Sequence, residues 1–139
     1  MVIRRIVLVI GALIALIGLS QIAAANWWLR IMPSIMQTRE LRILGIAALV
    51  VGVVLTFAGI RRLVGLWGFV LVLGVLMLVG GAVMLLNPAW IKDTVNPYFL
   101  NRPHNALIQM AWAGGAARVL IGALLISAAS RGGPRTGAR

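Results

Sequence analysis

Four long apolar stretches alternate with short polar breaks along this chain: Ile6 to Ala25, Ile43 to Ile60, Leu63 to Leu86 and Ala106 to Ala129. A helix rises about 1.5 Å per residue, so each stretch is long enough to cross a hydrocarbon core of roughly 30 Å. The pattern predicts an all-α integral membrane protein with four transmembrane helices. Gln109 and Arg118 interrupt the fourth. The opening also resembles a secretory signal, with Arg4-Arg5 ahead of an apolar run that ends in Ala23-Ala24-Ala25. That run is long enough to span, and it reads as an uncleaved first helix.

The breaks follow a pattern of their own. Arg4-Arg5 opens a run that ends in Asn26-Trp27-Trp28-Leu29-Arg30, and Arg61-Arg62 opens one that ends in Asn87-Pro88-Ala89-Trp90-Ile91-Lys92. Gly45, Gly52 and Arg61 are matched at identical spacing by Gly115, Gly122 and Arg131. The chain therefore reads as two tandem helical hairpins, 1–60 and 61–130, followed by a basic flexible tail, 131–139. Every span also carries two glycines seven residues apart: Gly11 and Gly18, Gly45 and Gly52, Gly74 and Gly81, Gly115 and Gly122. Seven residues is close to two helical turns, which places each pair on one face. Inside lipid no hydrophobic force drives helices together, and small residues permit the close backbone approach that packing needs.

The two loops between spans one and two and between spans three and four are amphipathic. In the first, Trp27, Trp28, Leu29, Ile31, Met32, Ile35 and Met36 interleave with Arg30, Ser34, Gln37 and Arg39. In the second, Asn87 followed by Pro88 is a helix start, an N-cap with proline at the first helical position. It predicts a short helix to about Val95, broken by Asn96-Pro97. Trp27, Trp28, Trp90, Tyr98 and Trp112 are expected as anchors at headgroup level, where aromatic rings with a polar tip prefer to sit.

Composition agrees with a membrane chain. Of 139 residues 62% are hydrophobic and only 11% charged, with a mean hydropathy of +1.05; soluble domains carry about 25% charged residues. The net charge of +11 does not point to nucleic acid, because the basic residues flank apolar spans instead of lining a folded surface. Seven arginines fall on the side of both termini (Arg4, Arg5, Arg61, Arg62, Arg131, Arg135, Arg139), against Arg30, Arg39, Arg42, Lys92 and Arg102 opposite. The positive-inside rule then predicts cytoplasmic termini. With no cysteine in the sequence, disulfides and thiolate chemistry are excluded.

Reactive side chains are few. Arg118 lies within the fourth span, where the matched position of the second span is Ala48. A charge in mid-membrane is costly unless it snorkels or pairs, which makes Arg118 a candidate for contact with a partner or a transported solute. Glu40 and Asp93, the only carboxylates, sit beside Arg39, Arg42 and Lys92 and are expected in interfacial ion pairs. Brought together, they could instead hold a cation. His104 stands in a Pro-His-Asn turn as the lone histidine. Ser20, Gln21, Thr56, Gln109 and Ser127 are expected as hydrogen-bonding glue between helices. No phosphate-cradling loop, zinc spacing or nucleophile triad is present, so neither a catalytic role nor a cofactor is expected.

Two segments carry a resemblance: Asn87-Pro88-Ala89-Trp90-Ile91-Lys92 after the third span, and Leu41-Arg42, Gly45 and Gly52 opening the second. In these the chain resembles the YjeT-like small bacterial inner-membrane proteins, a family of about two spans and unknown function, here as a tandem doubling. It departs from that pattern at Trp27-Trp28, which lacks the preceding proline, and at Gln109-Met110, where Leu-Arg would fall. The resemblance implies architecture and a bacterial inner-membrane location. The functional expectation is a non-catalytic accessory or assembly subunit, in contact with membrane lipids and other integral membrane subunits. The alternatives are a small oligomeric transporter or channel, and a lipid-, quinone- or pigment-binding module.

Overall fold

The computed structural model describes residues 2–62 and 65–131. Six helices follow one another there: α1 (Val2–Ala23), α2 (Ala25–Ile35), α3 (Thr38–Ile60), α4 (Leu66–Leu86), α5 (Pro88–Leu100) and α6 (His104–Arg131). Helices α1, α3, α4 and α6 are long and apolar enough to cross a membrane. The protein is an all-α, four-span membrane protein. The expected beginning of the third span at residues 63–64 and the tail after Arg131 lie outside the described residues. Gly65, which precedes α4, has φ +63°, a left-handed conformation that favours glycine.

The glycines decide which spans touch. A methyl group built on Gly18 of α1 would stand 2.6 Å from the carbonyl oxygen of Gly115 in α6, and one on Gly11 would stand 3.0 Å from that of Gly122. In α3, a methyl on Gly45 or Gly52 would stand 3.0 Å from the carbonyl oxygen of Gly81 or Gly74 in α4. All eight glycines are buried. The tight packing therefore crosses between the two halves of the chain. The first span grips the fourth, and the second grips the third. Consecutive spans one and two, a hairpin in the sequence, touch only lightly.

The two glycine-bonded pairs meet at the end where α1 and α4 begin and α3 and α6 finish, here the terminal end. Val7, Leu55, Val70 and Leu125 are fully buried there, joined by Ala58, Trp67, Ala128 and Ala129. Burial is uneven beyond this knot. Along one stripe of α6, Ala128 and Leu125 are buried, Ile121 half-buried and Arg118 exposed. Along the corresponding stripe of α3, Ala58 and Leu55 are buried, Val51 and Ala48 half-buried and Leu44 exposed. The spacings of three and four residues keep each stripe on one face. Farther along the same stripes Leu41 of α3 and Ala111 of α6 are buried again, toward the loop end where α2 and α5 lie.

Helix α2 is the most strongly amphipathic of the six, as its sequence predicts. Helix α5 begins as expected: the Asn87 side chain accepts a hydrogen bond from the Trp90 backbone N–H at 3.1 Å, with Pro88 in the first turn. Its expected end near Val95 is corrected, because the helix runs through Pro97 to Leu100. Proline removes one i→i−4 bond, here to Asp93. Asp93, Thr94, Asn96 and Pro97 are all exposed, so the freed carbonyl can be solvated and a single lost bond does not end the helix.

Candidate functional site

The loop end holds a sizeable hollow. Helices α2 and α5 and the start of α6 enclose an open cleft of about 620 Å³. Leu29, Met32, Met36, Phe99 and Leu107 supply its apolar wall, and Asn26, Arg30, Asn96 and His104 its polar positions. A neighbouring hollow of about 430 Å³ shares Asn26 and Arg30 and is flanked by Trp27, Ile108 and Trp112. Arg30 and His104 are the ionisable groups on these walls, and neither Glu40 nor Asp93 reaches them. The electrostatic character is therefore cationic above an apolar floor.

Arg118 stands apart, halfway along α6. Its Nη1 donates to the Oε1 of Gln21 on α1. Gln21 is 92% removed from solvent, being 8% exposed, and it packs against Gly114 beside the arginine head. The absence of a side chain at Gly114 gives Gln21 and Arg118 their room. Gln21 is thus interhelical glue, as expected. The same expectation fails for two others. Ser20 bonds its own helix, donating to the Ile17 carbonyl at 2.8 Å, and the Thr56 hydroxyl is buried without a partner among the described residues.

The carboxylates do not behave as expected either. Glu40 is half-buried in the first turn of α3, with Oε2 unpartnered among the described residues, in place of a pair with Arg39 or Arg42. Lys92 turns away from Asp93 and donates through Nζ to the Thr38 hydroxyl at 2.7 Å, tying α5 to α3. The Thr38 hydroxyl, brought close on α3, competes well with a carboxylate that can stay solvated. Among the described residues no cluster of three or more His, Asp or Glu groups is placed to hold a metal ion.

Of the expected anchors, Trp27, Trp90, Tyr98 and Trp112 are more than half exposed. Trp28 differs. It is half-buried, packs edge-on against Trp27 at 5.8 Å, and its Nε1 is buried without a partner among the described residues. Arg4, expected only as a flanking charge, donates through Nε to the Ala129 carbonyl and through Nη2 to the Ser130 carbonyl at 2.9 Å. It satisfies carbonyls that the end of α6 leaves open and complements the negative end of that helix. Arg30 and Asn96, which line the cleft, carry no signal in the sequence beyond their place in amphipathic segments.

No family model, curated protein or solved structure matches the chain.

Proposed function

We propose that this chain is a non-catalytic, multi-pass binding module of a bacterial inner membrane, whose ligand is an anionic amphiphile of the membrane itself. The cleft at the loop end carries this reading. Its floor of Met32, Met36, Phe99 and Leu107 suits an acyl chain, and Arg30 and His104 suit an anionic headgroup. Methionines such as Met32 and Met36 adapt to flexible hydrocarbon, and the amphipathic α2 supports a cleft at headgroup depth. Cytoplasmic termini, by the arginine bias, would put the cleft on the outer leaflet. We take the shared glycine register to descend from a duplicated hairpin of the YjeT-like kind. Matched positions such as Val7 and Val70, or Leu55 and Leu125, share the same full burial and support it.

The test is retention of phosphatidylglycerol by protein purified in mild detergent, followed by native mass spectrometry. Arg30→Leu is expected to weaken retention about tenfold, the worth of one charge-assisted contact. A wild-type protein that holds no phospholipid, or an Arg30→Leu variant that holds it equally, overturns the reading.

An accessory subunit remains the second reading, with one observation in its favour. The paired glycines are used up inside the molecule, but Gly68 and Gly80 of α4 have nothing within 4 Å of an added methyl group. Such bare backbone admits a helix of another subunit. Purification of the protein with a stoichiometric membrane partner would support it.

A further inference from the structure

We infer that Arg118 and Gln21 form a binding site for an oxyanion, a phosphate or carboxylate group, at the exposed head of Arg118. Arg118 lies at the middle of a helix that spans the membrane, where an uncompensated guanidinium costs several kcal/mol. Its hydrogen bond to Gln21 Oε1 is the one its head makes among the described residues, and Gln21 is neutral. The amide therefore orients the charge without balancing it.

The manner of orientation matters. Gln21 takes Nη1 and, among the described residues, nothing accepts from the Nε–Nη2 edge. That edge presents two parallel N–H donors and matches the two oxygens of a carboxylate or phosphate. Arg4 spends the same edge on the carbonyls of Ala129 and Ser130, as an arginine with a purely structural task does. Arg118 does not. Its position also continues the Ala128, Leu125, Ile121 stripe, in which Arg118 is exposed and Ala111, two turns further on, is buried. The matching stripe of α3 offers Ala48 and Leu44, apolar residues with no competing charge. An anion drawn to this point would not come from the terminal end, where Val7, Leu55, Val70 and Leu125 are fully buried.

This site shares no residue with the cleft, so the two readings fail separately. The anion could belong to a phospholipid or come from solution, and two probes separate these sources. The full chain is reconstituted in phosphatidylcholine nanodiscs and titrated with phosphatidylglycerol in one arm and inorganic phosphate in the other. Gln21→Glu is the decisive variant: nearly isosteric, it supplies a carboxylate to Arg118 from within the protein. It is expected to keep or raise thermal stability while lowering anion affinity about ten- to a hundredfold. Arg118→Leu should lower uptake of the same probe as Gln21→Glu does, and all titrations are run in the Arg30→Leu background, which removes the cleft's own share of phosphatidylglycerol. Loss confined to phosphatidylglycerol identifies a lipid site; loss of inorganic phosphate identifies a site for a soluble anion. Arg30→Leu protein that takes up neither probe, or a Gln21→Glu change in it that leaves binding unaltered, overturns the inference.

Discussion

At Gly18 a single added methyl group would press on the carbonyl oxygen of Gly115 at 2.6 Å. The neighbouring atoms are backbone, which cannot rotate away, so a larger side chain must part α1 from α6. Gly18→Ile is expected to cost about 1–3 kcal/mol, the range for overpacking. Gly68→Ala, where an added methyl meets nothing within 4 Å, serves as the control and should be close to neutral. Detergent-unfolding curves of the two variants check the contrast. The importance of Gly18 was legible from its seven-residue partner Gly11. The identity of its contact was not, since spacing along one helix does not say which other helix it meets. Arg118 teaches the same point. Its oddity was visible as a charge inside an apolar run, yet its tie to Gln21 depends on two helices separated by nearly the whole chain.

Among the elements, the two loop-end helices follow their sequence signals to different degrees. The Asn-Pro start of α5 folds as the residues predict, because an N-cap is a local interaction between Asn87 and the Trp90 N–H. Asn87→Ala should destabilise the fold by about 1 kcal/mol and speed hydrogen exchange at the Trp90 amide above that of the α4 interior. Equal exchange in wild type and variant would count against the cap. The end of α5 did not follow its signal. Proline was read as a stop, but a proline in an exposed last turn removes one bond and little else. The amphipathicity of α2 was plain in the sequence, whereas its partnership with α5 around a cleft was not, because neither helix encodes the distance to the other.

For the whole molecule, the exchange of partners between halves has a mechanical consequence. Each half presents glycine faces that only the other half covers. Residues 1–62 expressed alone should therefore fail to form a stable monomer, and co-expression with residues 65–139 should recover a complex that purifies as one species. A first half that is stable and monomeric by itself would contradict the packing. The sequence alone determined the number of spans, the faces on which small residues lie and the amphipathic character of the first loop. These follow from hydropathy, from helical periodicity and from the cost of polar groups in hydrocarbon, which act within one segment. Only the tertiary structure decided that the first span pairs with the fourth. The same is true of the knot at the terminal end, the tie between Arg118 and Gln21 and the walls of the loop-end cleft. Four helices with nearly identical glycine faces can pair in several ways, and the choice rests on contacts between residues far apart in the chain.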